Sequence, residues 1–261
     1  MGSSHGYGTL YISEINTIRS LGYPSVFALL KDQNNNIWFG GYGSGLGRYN
    51  TETNTVTHFK HDDNNITSIP QDQIWCIYED RNENIWIGTT NGIAKMSQKG
   101  PQFKQIKHIA NNVNTISSNN VLDVIQTKDS NIWVASYSGI DRINLKNNQV
   151  LHFEHEKDNS KTMLSNKVRA IFEDSKGDLW IGYWSGLGFD KFDSKTQTFK
   201  HFASNTDEGV TGDDWYIGFI EDENDRFYPL QWGGAPLNEF DRATEEFTSF
   251  MYGAPSINLP Y

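Results

Sequence analysis

The chain of 261 residues contains one cysteine, Cys76, and no apolar run long enough to span a bilayer. A single thiol excludes an internal disulfide, and a transmembrane helix needs about 20 apolar residues. Basic residues are also in the minority, with 22 Lys and Arg against 32 Asp and Glu, for a net charge of -10. We therefore predict no binding to nucleic acid and no direct insertion into a membrane.

Helical periodicity and catalytic signatures are missing as well. No segment of helical length repeats apolar residues every 3.6 positions, so we predict essentially no α-helix. There is no glycine-rich phosphate loop, no serine elbow and no assignable pair of catalytic carboxylates. Acidic turns such as 80–83 lack the spacing of a calcium loop. We predict no cofactor, no metal site and no catalytic residue.

The sequence does contain a repeat of about 47 residues. Its landmark is a strand of the type Ile-Trp-Ile-Gly, whose aromatic positions are separated by 48, 47, 47 and 48 residues: Trp38, Trp86, Trp133, Trp180 and Tyr228. In each repeat an alternating strand (a) precedes the landmark strand (b), and two further strands (c and d) follow it after glycine-containing and polar turns. Four antiparallel strands in every 40 to 50 residues are typical of propeller blades.

We accordingly predict an all-β fold, a β-propeller of five four-stranded antiparallel blades that either closes or is a fragment of a larger, seven-bladed type. The repeats occupy residues 9–252, with blades at about 25–60, 73–107, 120–154, 167–203 and 215–251. Residues 1–8 are interpreted as a vector-derived leader, 9–13 as a strand of a preceding blade, and 253–261 as a connector to a missing blade. An open arc would expose strand edges that favour a homodimer.

Residues 73–96 and 167–192 resemble the two-component regulator propeller repeat, in which a strand ending in Glu-Asp is followed by Ile-Trp-Ile-Gly and a Gly-Leu turn. The resemblance extends over about residues 9–252. The fifth repeat departs from it at 227–229, where Pro229 weakens a central strand. The resemblance implies a periplasmic sensor domain of a Bacteroidetes hybrid two-component system, with an oligosaccharide as its ligand.

In propellers the b–c turns and the d–a connectors share one face, here called the b–c face. Four of the five repeats place an aromatic residue in the b–c turn: Tyr42, Tyr137, Trp184 and Trp232. Flat apolar rings suit the C–H faces of sugars, although packing against a neighbouring blade is an alternative role. Arg169 replaces an apolar residue near the start of strand a, which indicates a ligand carboxylate or an internal ion pair. These five residues form the predicted ligand site.

Two other functions remain open from the sequence. A propeller polysaccharide lyase or glycoside hydrolase would need His, Tyr or acidic residues that converge, and Asp123 is the acid nearest the expected channel. A protein-interaction scaffold would present a flat apolar face. Other recurrent polar residues are interpreted as structural: the strand c cations Arg48, Lys95, Arg142 and Lys191, the strand d histidines His58, His152 and His201, and the turn caps Asp72, Asn119, Asn166 and Asp214.

Overall fold

The computed structural model of the chain describes residues 25–97, 100, 102–202, 215–232 and 237–250. These residues form twenty β-strands and no helix, as the sequence predicted. The described part of the chain therefore contains no helix that could cross a membrane. The predicted leader, the strand at 9–13, the connector at 253–261 and the predicted cap Asp214 lie outside the described residues.

The strands form five four-stranded antiparallel sheets, each in the sequential order a-b-c-d. The first contains β1 (Val26–Lys31), β2 (Asn36–Gly41), β3 (Leu46–Asn50) and β4 (Thr55–Phe59). The second contains β5 (Ile74–Glu79), β6 (Ile85–Thr89), β7 (Gly92–Met96) and β8 (Phe103–Ile106). The third contains β9 (Val121–Gln126), β10 (Ile132–Ser136), β11 (Gly139–Ile143) and β12 (Val150–Phe153).

The fourth sheet contains β13 (Val168–Glu173), β14 (Leu179–Tyr183), β15 (Phe189–Asp193) and β16 (Thr198–Phe202). The fifth contains β17 (Tyr216–Glu221), β18 (Phe227–Gln231), β19 (Leu237–Asp241) and β20 (Glu246–Phe250). The predicted weakness at Pro229 is present, since β18 and β19 are paired in the described residues only at Phe227 and Phe240. Proline has no N–H to donate to the ladder.

The chain divides into two compact units, one ending at Glu154 and the other beginning at His155. The first unit contains the first three sheets, and the second contains the fourth and fifth. In the first unit the core between neighbouring sheets is mainly aliphatic, around Ile74, Ile85 and Ile87. In the second unit it is mainly aromatic, around Phe189, Phe227 and Phe240.

The a–b hairpins are closed by the acidic residue that follows strand a. In the second sheet Asp80 accepts hydrogen bonds from the backbone N–H groups of Asn82 and Asn84, both at 2.9 Å, and from the indole N–H of Trp86 at 2.8 Å. The same indole contact recurs in two other sheets, from Trp38 to Asp32 and from Trp180 to Asp174. One carboxylate thus fixes the turn and satisfies a buried tryptophan N–H. The acidic turns are therefore hairpin elements, as predicted.

Two hairpins close in a different way. In the third sheet Thr127 takes the aspartate position and donates its hydroxyl to Asp129 at 2.5 Å, while Asp129 accepts the backbone N–H of Asn131. In the fifth sheet Asp222 still accepts the backbone N–H groups of Asn224 and Arg226, both at 2.9 Å, and the guanidinium of Arg226 takes the place of the indole at 2.6 Å. Each replacement still places a carboxylate oxygen over the turn, so the hairpin geometry is kept.

The strand c cations stack on the landmark tryptophans, which confirms their predicted structural role. The distances from the cation to the ring centroid are 5.5 Å for Arg48 on Trp38, 4.7 Å for Lys95 on Trp86, 5.6 Å for Arg142 on Trp133 and 5.5 Å for Lys191 on Trp180. The positively charged end of each side chain thus lies over the face of an indole, which attracts a cation.

Within each unit, neighbouring sheets meet at the glycine of the landmark strand. A Cβ atom on Gly88 would lie 2.4 Å from Cys76 Sγ and 2.9 Å from Val121 of the next sheet. On Gly182 it would lie 2.6 Å from the carbonyl oxygen of Tyr216. Strand a of the following sheet therefore packs where a side chain would otherwise project.

A second joint lies at the end of strand a, where a side-chain oxygen binds the a–b turn of the preceding sheet. Glu79 accepts the backbone N–H of Gln33 at 3.1 Å, and Gln126 accepts that of Arg81 at 3.0 Å. In the second unit Glu221 accepts that of Ser175 at 2.7 Å. We call this contact the blade latch.

In the second unit the blade latch is reinforced by a buried arginine. The side chain of Arg242, in the c–d turn of the fifth sheet, is only 7% exposed and binds Glu221 at 2.6 Å and Asp174 at 2.8 Å. It also pairs with Asp225. A guanidinium with three carboxylates around it is well compensated for its burial, and it joins the fourth and fifth sheets.

Candidate functional site

Each strand a contains a bulge after its first residue. The ladder to strand b skips one residue in every sheet: Phe27, Trp75, Leu122, Arg169 and Ile217. A bulge adds an unpaired residue and re-aims its side chain, which is why bulges are frequent beside binding sites. Each sheet therefore has one residue near the start of strand a that is not paired with strand b. In the fourth sheet this residue is Arg169, one of the predicted site residues.

Backbone hydrogen bonds hold the b–c turns against the start of strand a. The backbone N–H of Trp184 donates to Lys167 O, and that of Trp232 donates to Trp215 O, both at 2.9 Å. The residue that follows strand b thus lies beside the residue that precedes strand a. This arrangement places the turn aromatic of each of these sheets at a defined position on the b–c face.

The d–a connectors are fixed by the predicted turn caps. The side chains of Asp72, Asn119 and Asn166 accept the backbone N–H of the histidine that begins their connector, at 2.8, 2.7 and 2.6 Å. The backbone carbonyls of Asp72 and Asn119 also accept N–H groups from glycines of the preceding b–c turn. The capping interpretation is confirmed for these three residues, and the described connectors are ordered loops that form part of the b–c face.

In the second unit three tryptophans meet on the b–c face. The rings of Trp184 and Trp215 stack with centroids 4.8 Å apart and an angle of 24°, and Trp232 lies 6.0 Å from Trp184. Trp232 is 55% exposed. We call Trp184, Trp215 and Trp232 the tryptophan platform, because together they present a continuous aromatic surface that is still open to solvent.

Trp215 was not among the sequence-predicted site residues. It immediately precedes strand a, whereas the aromatic residues predicted from the sequence all lie in the b–c turns. The signal was present, because the equivalent positions in the other described repeats are polar: Ser25, Gln73, Asn120 and Lys167. Because the other described repeats have polar residues at this position, the tryptophan is not required by the blade structure, and it indicates a local role.

In the first unit the predicted aromatics are arranged differently. Tyr42 is 65% exposed and Tyr137 is 42% exposed, and neither ring stacks on another aromatic ring of the described residues. The bulge residues Phe27 and Trp75, which the sequence analysis did not select, stack with centroids 5.3 Å apart and an angle of 9°. The b–c face of this unit therefore has one aromatic pair and two separate exposed tyrosines.

Arg169 is half-buried, and within the described part of the chain no carboxylate lies at ion-pair distance from it. The neighbouring Lys167 is exposed. Of the two roles predicted for Arg169, an internal ion pair is thus not formed with any described residue. Asp190, on strand β15 of the same sheet, is fully buried and is held by Tyr183 and by His201 at 2.7 Å.

The buried titratable groups form structural pairs inside single sheets. Asp141 accepts from Ser117 and binds His152 Nδ1 at 2.6 Å, and His152 Nε2 contacts the carbonyl oxygen of Val113 at 2.9 Å. Burial raises the pKa of Asp141. Burial acts to lower the pKa of His152, but the bonds to Asp141 and Val113 raise it overall. These pairs tie a d–a connector to strand d.

Asp123, the acid selected from the sequence, accepts the backbone N–H of Val124 at 2.9 Å. No group of three His, Cys, Asp or Glu residues in the described ranges is placed to hold a metal ion. The chemistry that the described face offers is stacking, hydrogen bonding and, at Arg169 and Lys167, pairing with an anion.

The family model of the two component regulator propeller matches residues 20–43, 68–91 and 162–185. In the second and fourth sheets the matched segments contain strand a, the acidic hairpin and strand b. Three of the five repeats thus contain a segment similar to the two-component regulator propeller repeat. The sequence matches no curated protein.

Solved structures share this fold. One is the extracellular domain of a B. thetaiotaomicron protein named as a hybrid two component system, with a TM-score of 0.71 and 20% identity over 85% of this chain. Another is virginiamycin B lyase from Staphylococcus aureus, with a TM-score of 0.66 and 13% identity over 88% of this chain. This chain spans 29% of the first protein and 71% of the second. At these identities the similarity shows the fold alone, and the five sheets are β-propeller blades.

Proposed function

We propose that the chain is a ligand-sensing segment of a two-component regulator and that it binds an oligosaccharide on the b–c face. The observation that carries the proposal is the tryptophan platform. Stacked indoles that remain exposed are not needed for strand pairing, and exposed apolar patches commonly mark binding sites. Sugar rings present flat C–H faces that pack on aromatic rings, while the polar d–a connectors supply donors and acceptors for hydroxyl groups.

The repeat family supports the sensor role and an extracytoplasmic location. The similar B. thetaiotaomicron domain is extracellular and is named as part of a hybrid two component system. We place this chain in the same setting, in the periplasm, with a partner copy as the element that reads out occupancy. A ligand alters signalling only if it binds two arrangements of the sensor with different affinity.

An enzymatic role is the second candidate, because a lyase shares the fold. It would require titratable groups that converge on a substrate, and the described His and Asp residues are instead engaged in pairs within their own sheets. A protein-interaction scaffold is the third candidate. Its expected feature is a flat apolar face, whereas the described connectors are rich in Asn, Asp, Ser and Thr.

The test is a fluorescence titration of the chain with a panel of plant, host and microbial oligosaccharides. We expect saturable quenching by at least one saccharide, and we expect Trp184→Ala or Trp232→Ala to weaken its binding about tenfold, the value of one aromatic contact. Trp75→Leu is the matched control, since Leu122 occupies the same bulge position in the third sheet. It should bind like the wild type.

Two outcomes would contradict the proposal. If the folded protein binds no saccharide of the panel, the scaffold function is favoured. If binding occurs but both platform variants bind normally, the saccharide site lies elsewhere. Circular dichroism of each variant verifies that the sheets are retained.

A further inference from the structure

The fourth repeat differs from the others in the charges at the start of its strand a. Arg169 takes a bulge position that is apolar in the other four repeats, and Lys167 takes a position with no charged counterpart in the described repeats. These two cations lie in one repeat of a chain whose net charge is -10. When one repeat carries a charged residue where the other repeats do not, the charge is not required by the fold, and it indicates a local function.

Both cations lie next to the tryptophan platform. The residues on either side of Arg169 pair with Tyr183 and Gly182 on β14, and Trp184 directly follows Tyr183. Lys167 is closer still along the backbone, since its carbonyl oxygen accepts the N–H of Trp184 at 2.9 Å. The platform therefore has an aromatic surface bordered by an arginine and a lysine.

The guanidinium of Arg169 is half-buried, and it has no carboxylate partner among the residues that the structure describes. Asp190 on β15 is fully buried and is already bound to Tyr183 and His201. A partly desolvated arginine gains most from a planar anion that accepts two parallel N–H bonds, and carboxylates have this geometry.

We propose that the platform takes an acidic saccharide, a uronate-containing oligosaccharide whose ring stacks on Trp184 and whose carboxylate pairs with Arg169 and Lys167. The inference rests on the proposed function and adds the ligand class and two specificity residues. It predicts that the carboxylate, not the ring alone, determines which saccharides bind.

The experiment compares uronate oligosaccharides, such as trigalacturonate and a glucuronate-containing trisaccharide, with their methyl esters, which keep the ring but remove the charge. Isothermal titration calorimetry is done on the full chain and on two variants. Arg169→Ile introduces the residue of the fifth repeat, Ile217, and Lys167→Gln introduces that of the second, Gln73. Lys146→Gln, an exposed lysine in the c–d turn of the third sheet, is the matched loss of one positive charge.

We expect at least one acid to bind about tenfold or more tightly than its ester, as one charge-assisted pair provides. Arg169→Ile should weaken binding of the acid much more than binding of the ester and so remove this preference, Lys167→Gln should reduce the preference, and Lys146→Gln should keep it. Trp184→Ala should weaken acid and ester alike.

Three results would overturn the inference. Equal affinity of acid and ester, with both binding, refutes the acidic ligand and leaves the proposed function intact. Tight binding of a sulfated saccharide without any uronate binding refutes the carboxylate assignment. Absence of all saccharide binding in the folded chain refutes the inference and the proposed function together.

Discussion

The blade latch uses two chemically different side chains for one task. Glu79 and Glu221 supply a carboxylate oxygen to the preceding turn, whereas Gln126 supplies an amide oxygen. Burial raises the pKa of Glu79 to about 7, the nearby charge of Asp32 adds to this, and the hydrogen bond from Gln33 opposes it. The two versions of the latch therefore differ in their dependence on pH, although they share one geometry.

Glu79→Gln should make the protein less sensitive to pH. The unfolded chain loses the Glu79 proton near its ordinary pKa of 4.5, while the folded chain retains it up to about pH 7. Stability therefore falls as the pH rises through this window, because the folded state binds more protons. We expect the variant to match the wild type at pH 4 and to melt several degrees higher at pH 8.

Thermal unfolding between pH 4 and 8 measures this difference. Gln126→Glu is the reciprocal variant and should introduce a similar loss of stability at high pH in the third sheet. An unchanged difference between Glu79→Gln and wild type across the pH range would show that Glu79 titrates normally.

At the level of elements, the sequence predicts the strands well because turn residues mark both ends of each. Strand d, for example, follows the polar c–d turn at Phe103–Ile106 in the second sheet and at Val150–Phe153 in the third. The bulges and the blade latches were not predicted. Both depend on a partner about 47 residues away or on a neighbouring strand, and a local pattern of polar and apolar residues does not specify which atom will accept a hydrogen bond.

Gly88→Ala should destabilise the joint between the second and third sheets. The added Cβ would lie 2.4 Å from Cys76 Sγ and 2.9 Å from Val121, so one of the two strands must shift. Overpacking of this kind costs about 1–3 kcal/mol. Urea denaturation measures the loss. Cys76→Ala combined with Gly88→Ala should recover part of it, and a full cost in the double variant would exclude Cys76 as the obstacle.

At the level of the whole molecule, the regular repeat in the sequence indicated the fold but only part of the candidate site. The aromatic residues of the b–c turns were recognised because they recur, and Trp184 and Trp232 do lie together. Trp215, which completes the platform, breaks the repeat pattern and was passed over. Which aromatic residues stack depends on three-dimensional packing, so Tyr42 and Tyr137, equivalent in sequence, stay apart from other described rings.

Losses in the free energy of unfolding caused by one substitution in each unit should be additive, because each repeat of an array is stabilised mainly by contacts with its neighbours. Arg242→Met leaves Glu221 and Asp174 without their shared cation and should cost about 3–5 kcal/mol. Combined with Gly88→Ala, the two losses should sum to within about 0.5 kcal/mol, since they share no partner. Double-mutant denaturation tests this. A larger coupling energy would show communication between the units.

The blade latch also bears on how such chains evolve. Its donor is a backbone N–H, which almost every residue provides, and its acceptor is a single side-chain oxygen that either Glu or Gln supplies. This contact therefore demands little of either sequence beyond one position. Gene duplication or recombination at blade boundaries would preserve this contact. The number of blades can therefore change during evolution while the sequences of the exposed loops diverge.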